Sequence, residues 1–286
     1  METIEFFPTY KKLVFSVAYN MTGSKIVSED IVQDITLKFL ENPISESITD
    51  PRNYIIRATV NHCLNVLKKD SRTQYKGTWL PEPFINNEES TFSNKFERRD
   101  LLTYELSFLV EQLTSQERAV FVLREAFDFD HKEIAEAINI SDANSRQLFR
   151  RAKEKVQNAK HQSITNSQSI ELAKQFVKLM SEGNLEELIK LFNKDISIIG
   201  DGGGKAPAIS KPIFGKENVA DFFMKLFGNS QLEPSFEFTE ILSQPAIAIY
   251  VNGKCFVVQV LSIKEGKISQ VFAVLNPDKL TPFQKN

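Results

Sequence analysis

Between Thr114 and Val156 the chain carries so much helix punctuation that few folds can accommodate it. Thr114 followed by Glu117 is a capping box, in which the hydroxyl accepts from the helix's first turn while the glutamate reaches back to the cap. It opens a helix bearing Val120, Leu123 and Ala126. Asp130 with Glu133 forms a second box, opening a short helix through Ile138. Asn139 can take the left-handed conformation that closes a helix, Ile140 can plug the core, and Ser141 can cap a further helix with Leu148, Ala152 and Val156 turned inward. Helix, tight turn, helix is the helix-turn-helix motif.

The outward side of that last helix is basic. Arg146, Arg150, Arg151, Lys153, Lys155 and Lys160 stand against the single acid Glu154, although the whole chain has a net charge of only −2. Ser145, Arg146, Gln147, Arg150, Arg151 and Lys153 lie off the apolar stripe, on the face that a recognition helix turns into a major groove. There arginine can pair bidentately with guanine and glutamine with adenine, while lysine neutralises phosphate. A solvated charged face is the plainer reading of such a run, but caps, turn and charge asymmetry coincide here and favour DNA.

Upstream, Tyr10, Val14, Val17, Ala18 and Met21 follow a helical period that Gly23 ends. Ser28 is the expected cap of a second helix, with Ile31, Val32, Ile35, Phe39 and Leu40 on one face and Pro43 at its end. Asp50-Pro51 opens a third, whose stripe is Ile56, Val60, Cys63, Leu64 and Leu67. Residues 73–100 have no sustained period and hold the only tryptophan, in Trp79-Leu80-Pro81-Glu82-Pro83. A large aromatic beside prolines calls for a surface to dock on.

From about residue 168 the pattern changes. Helices over Ile170–Met180, Leu185–Phe192 and Lys216–Phe227 precede strands over Phe236–Thr239, Ala246–Val251, Cys255–Ile263 and Lys267–Leu275, with hairpin turns at Asn252-Gly253 and Glu265-Gly266. This order predicts an α+β domain with helices on one face of a curved antiparallel sheet.

In the company of the helix-turn-helix, the first block resembles the region-two domain of extracytoplasmic-function sigma factors. The resemblance is carried by Glu29-Asp30-Ile31-Val32-Gln33-Asp34 and by Asp50-Pro51-Arg52-Asn53-Tyr54 onward. The helix-turn-helix resembles region four, and the last block resembles the SnoaL-like branch of the NTF2-like fold. Trp79-Leu80-Pro81-Glu82-Pro83, Asp201-Gly202-Gly203-Gly204-Lys205 and Asn276-Pro277-Asp278-Lys279-Leu280 are similar to phrases of the subgroup that carries this domain as a fused extension.

The resemblance implies a multidomain chain: an all-α region-two bundle over 1–72, a linker over 73–100, an all-α region-four helix-turn-helix over 101–160 and a cone-shaped α+β SnoaL-like domain over 168–286. It implies partners as well, namely core RNA polymerase at its β′ clamp and β flap, and promoter DNA at the −35 and −10 elements. Glu29, Asp30, Gln33, Asp34 and Phe39 would face polymerase. Asn53, Arg57, Asn61, Lys68, Lys69 and Arg72 would face the melted −10 strand, where unstacked bases need amides for their edges and cations for the backbone; a solvated helix face accounts for them too. The three phrases would lie at an inter-domain surface through which the last domain regulates the others in cis.

Other chemistries fare worse. A phosphate-binding P-loop needs a glycine at Ile199 and a hydroxyl at Ala206, and a dinucleotide fingerprint counted from Gly200 lands on Lys205. The three histidines all precede the last block, leaving Asp195 and Asp201 as its candidate bases, and acids beside glycines more often form turns. Phe192, Phe214, Phe222, Phe223 and Phe227 could line a site for a small apolar ligand or simply form core. Two remote cysteines, Cys63 and Cys255, predict neither metal nor disulfide. No cofactor is expected. The short apolar runs and the acidic start predict a cytoplasmic protein without a membrane span. A ligand-sensing one-component regulator and a pocket enzyme fused to a DNA-binding domain remain the rival readings.

Overall fold

The computed structural model describes residues 3–42, 44–45, 47–69, 75–85, 100–156, 167–228 and 233–284. The chain divides into two compact units, Met1–Arg72 with Asn86–Lys160, and Thr73–Ile85 with His161–Asn286.

The first unit is helical: α1 (Thr3–Thr22), α2 (Lys25–Glu41), α3 (Pro51–Lys69), α4 (Tyr104–Val110), α5 (Ser115–Glu125), α6 (His131–Ile138) and α7 (Asp142–Val156). Gly23 ends α1 at φ 62°, as its lack of a Cβ allows. The cap of α2 is Ser24 rather than Ser28, because the chain turns into the next helix directly after Gly23. Ser28 is instead buried within α2, where its hydroxyl donates to the Ser24 carbonyl at 2.5 Å.

Both expected capping boxes form, at Thr114/Glu117 and Asp130/Glu133. Asn139 closes α6 in the left-handed region, at φ 55° and ψ 56°. Ser141 Oγ then accepts from Asn144 N at 3.1 Å, and Ile140 is half-buried. Two buried polar groups bind the first helices, one to the helix-turn-helix and one to the segment that leads into α4. Arg118 on α5 pairs with both oxygens of Glu111 at 2.8 and 3.1 Å and donates to the Met21 carbonyl at 2.8 Å. Asn20 on α1 donates to the Asp100 carbonyl at 2.8 Å and accepts from Leu102 N at 3.0 Å.

The second unit is α+β. Helices α8 (Ser167–Ser181), α9 (Leu185–Leu191) and α10 (Lys216–Gly228) accompany β1 (Phe192–Asp201), β2 (Ile213–Phe214), β3 (Ser235–Ile241), β4 (Gln244–Val251), β5 (Lys254–Lys264) and β6 (Lys267–Val274). The strands form one sheet in the order β2-β1-β6-β5-β4-β3. It is mixed, not antiparallel throughout, because β1 runs parallel to β6.

Sequence reading missed β1. Its last six residues are all buried, so it lacks the polar alternation of a half-exposed strand, and α9 runs into it without a loop. The expected hairpin turns have positive φ at Asn252, Gly253, Glu265 and Gly266, and a third turn uses Leu242 and Ser243 without glycine. Phe176, Phe192, Phe223, Ile247, Leu261 and Val271 belong to the core between helices and sheet. The opposite sheet face is buried too: Ile199, Phe272, Val260 and Ala246 form one cross-strand row, and Asp201, Val274, Val258 and Ala248 the next. The register thus carries Asp201 to the end of β1 on a dry face.

Candidate functional site

On α7, a buried stripe of Ser145, Leu148, Ala152 and Val156 anchors the helix. Arg146, Gln147, Arg150 and Arg151 are exposed and Lys153 is half-buried. Their ties are loose: Arg146 to Asp142 at 3.0 Å and Arg150 to Glu154 at 3.7 Å lie within one turn, and Lys153 reaches Glu125 at the end of α5 at 3.2 Å. Such pairs yield readily to phosphate or base edges, because exposed ion pairs are worth only about 0–1 kcal/mol.

Ser145 is a correction, since it is fully buried and its hydroxyl meets His131 Nδ1 at 2.9 Å. The spacing of one turn from Leu148 puts it on the inner stripe, where it ties the two helices of the motif together. Burial, together with the charges of Arg146 and Arg124, lowers the His131 pKa below its ordinary value. Glu117 is held low despite burial, which by itself would raise it; Lys155 at 2.7 Å and the Thr114 donors outweigh that desolvation.

On α2, Asp30, Gln33 and Asp34 are exposed, Asp34 facing His62 at 3.1 Å, and Glu29 is half-buried beside Lys25. Phe39 is buried and belongs to the bundle's core, so it cannot present itself to a partner. The large apolar side chains that α2 does expose are Ile26, Leu37 and Leu40, the last two flanking the expected position. On α3, Asn53 is half-buried, Lys68 and Lys69 are exposed, Arg57 pairs with Glu136 at 3.6 Å, and Asn61 Nδ2 donates to the Ala137 carbonyl at 2.7 Å. Arg72 lies outside the described residues.

The second unit brings the three quoted phrases into one cluster around Asp201. Its side chain is fully buried, and Oδ1 accepts from Tyr75 Oη at 2.6 Å and Gly203 N at 2.9 Å. Oδ2 accepts from Leu80 N at 3.0 Å and from Lys279 Nζ at 2.8 Å. Lys279 Nζ also donates to the Leu80 carbonyl and sits 4.1 Å from the Trp79 ring centre and 5.0 Å from that of Tyr75. Asn276 Nδ2 donates to Tyr75 Oη at 3.0 Å, and the Asp201 carbonyl accepts from Leu275 N and Asn276 N. Burial and the Asp201 carboxylate push the Tyr75 hydroxyl's pKa up, so it stays a donor. A buried carboxylate is tolerable only when it is paired and hydrogen-bonded in this way.

The glycines serve close approach. A Cβ on Gly203, at φ 60°, would lie 2.3 Å from Asn276 Nδ2; one on Gly202 would lie 2.1 Å from the Ala206 carbonyl oxygen; one on Gly204 would lie 2.9 Å from Lys76 Cβ. Lys205 reaches across to Asp278, while Pro81, Glu82, Pro83 and Leu280 are buried and Pro277 is exposed. This chemistry fastens a segment of chain, and its groups are saturated by one another.

Residues 6–73 match the Sigma-70 region 2 family and residues 104–156 match the Sigma-70 region 4 family. The chain belongs to the sigma-70 family. Its domain order is that of an extracytoplasmic-function sigma factor of SigJ type. The ECF RNA polymerase sigma factor SigJ of Mycobacterium tuberculosis is 28% identical, over 98% of this chain and 94% of that one. The probable ECF RNA polymerase sigma factor SigI of the same organism is 25% identical, over 96% and 93%. The crystal structure of the M. tuberculosis SigJ protein covers 98% of this chain and 99% of its own, with a TM-score of 0.74 and 26% identity.

In this sigma factor, Tyr75 and Lys76 were missed by sequence reading. They precede the tryptophan phrase and carry no motif of their own; only the fold places Tyr75 against Asp201 and Asn276. Of the phenylalanines read as either a ligand lining or core, Phe192 and Phe223 are core, Phe214 is exposed, and Phe222 and Phe227 pack against the core from its edge. Among the described residues no group of histidines, cysteines and acids could hold a metal ion, and no helix is long and apolar enough to cross a membrane.

Proposed function

We propose that this sigma factor acts in the cytoplasm, where it joins core RNA polymerase and directs it to two-part promoters. In this reading α2 lays Asp30, Gln33, Asp34, Leu37 and Leu40 against the β′ clamp, and α3 meets the melted −10 strand through Asn53, Arg57, Asn61, Lys68 and Lys69. Helix α7 enters the major groove of the −35 element with Arg146, Gln147, Arg150 and Arg151 toward base edges, while its domain rests on the β flap. A net charge of −2 suits a protein that relies on polymerase for placement, since the non-specific phosphate attraction of such a chain is weak.

We further propose that the second unit is a regulator in cis and not an enzyme. The observation that carries this reading is Asp201, whose buried carboxylate grips Tyr75 and Leu80 with the help of Lys279. The segment running between the two helical domains in sequence is thereby fastened to the C-terminal unit. Whatever alters that unit alters the tether between −10 and −35 recognition.

Reconstitution tests both halves. Specific initiation by core polymerase should require this protein, and absence of core binding would sink the sigma reading. Gly203→Val should change promoter output without abolishing core binding; unchanged output with an intact fold would refute regulation through the cluster. For a small-molecule ligand, the supporting group is Gln259, whose buried Oε1 has no hydrogen-bond partner and which lies in register between Ile247 and Ala273. Binding of the apolar dye anilinonaphthalene sulfonate to the native chain, weakened by Gln259→Leu, is the expected result.

A further inference from the structure

We infer that Asp142, the first residue of α7, is a base-selecting residue of this sigma factor. With Arg146 it reads adjoining bases: a guanine, and a neighbour that carries an exocyclic amino group, cytosine or adenine. The inference rests on the proposed entry of α7 into the major groove of the −35 element. Asp142 stands at the N-terminal end of that helix, the end whose residues approach base edges. Its Oδ2 accepts from Arg146 Nη2 at 3.0 Å, and the side chains of Asp142 and Arg146 are 46% and 64% exposed.

The structural duty open to this carboxylate is filled by a neighbour. Ser141 Oγ caps the helix by accepting from Asn144 N at 3.1 Å. Asp142 Oδ1 is instead buried without a hydrogen-bond partner, and a desolvated oxygen left unpaired lowers stability. The helix N-terminus attracts any acid in its first turn, so that attraction does not require one oxygen to be enclosed. What the enclosure accomplishes is orientation: with Oδ1 turned in, Oδ2 is the oxygen left to face Arg146 and whatever docks beside it.

Chemistry then selects the bases. Of the several N–H donors on the Arg146 guanidinium Asp142 takes one, so a fork remains for guanine O6 and N7. A carboxylate oxygen that has accepted one bond keeps a lone pair for a second donor. In the major groove cytosine N4 and adenine N6 are donors, whereas thymine O4 and guanine O6 are acceptors that a carboxylate repels. Oδ2 and Nη2, 3.0 Å apart, match base pairs stacked about 3.4 Å apart, which puts the contacts on neighbouring pairs. A carboxylate close to phosphates is otherwise unfavourable, so Asp142 acts chiefly by excluding the wrong base.

The test uses holoenzyme assembled from core polymerase and the full chain, transcribing a promoter library randomised over the −35 element, with the transcribed templates sequenced. Beside its guanine the unaltered protein should favour cytosine or adenine by about tenfold over thymine or guanine, and the sequences tell cytosine from adenine. Asp142→Ala should erase the preference at that neighbour and weaken the preference for guanine several-fold. Asp142→Asn, whose amide donates as well as accepts, should admit thymine and guanine at the neighbour while keeping cytosine and adenine. An unchanged neighbour preference in Asp142→Ala would overturn the proposal. So would a uniform rise across all sequences, the mark of a merely repulsive charge, or a loss confined to the guanine, the mark of a prop for Arg146 alone. Arg146→Ala checks the underlying reading: if every base preference survives it, α7 does not read the element through this face, and that failure is distinct from a failure at Asp142.

Discussion

The basic helix α7 and the Asp201 cluster use the same chemistry at opposite depths. Arg146 and Arg150 are 64% and 73% exposed and pair with acids one turn away along their own helix. Lys279 and Asp201 are 10% and 0% exposed and join positions distant in sequence. In water the first kind of pair is nearly free to exchange partners, whereas the second has lost its solvation and must keep the partner it has. The difference separates a surface meant to meet other molecules from one meant to hold the chain to itself.

The comparison can be broken at its buried end first. Lys279→Met leaves the Asp201 carboxylate short of its cation and should cost about 3–5 kcal/mol of stability in the second unit, read by denaturant unfolding. Adding Asp201→Leu should recover much of that loss, because a matched apolar pair leaves no orphaned charge; no recovery would mean that the cluster is held mainly by its backbone. Gly203→Ala should cost about 2 kcal/mol, from a left-handed backbone and from the contact with Asn276. If it is neutral, the loop has slack and the close approach is not what fixes it.

At the exposed end, Arg150→Ala should weaken −35 recognition by about 1–3 kcal/mol while leaving the unfolding midpoint unchanged. A smaller effect follows from His131. Its folded pKa is lowered, so the unfolded chain takes up a proton more readily; stability is full above the ordinary value of 6.5 and falls as pH drops below it. His131→Gln should flatten that part of the profile. Asp142→Ala, which frees Arg146, should shift stability by no more than about 0.5 kcal/mol, and a larger loss would mark the pair as structural.

What could be read in advance differed between the two units for a physical reason. The helix-turn-helix announced itself because caps act on residues within one turn: Thr114, Asp130 and Asn139 find their partners locally, whatever the rest of the chain does. Errors came where a second layer intervened. Ser145 and Phe39 have the right residue type and nearly the right spacing for a partner surface, yet packing took both inward. The strand β1 was hidden because a strand buried on both sides loses the alternation that betrays strands. The Trp79 phrase could be seen to need a partner, but no local rule names Tyr75 as the residue beside it.

The sequence by itself determined the helices, their caps, the turn between α6 and α7, the glycine-rich loop and the order of domains, since each depends on contacts a few residues long. Tertiary structure alone decided that Asp201 would sit on a dry sheet face beside Tyr75, Leu80 and Lys279, and that Asn61 would meet Ala137. These pairs are far apart in sequence, and their energies exist only after the sheet register and the helix packing have removed water from between them.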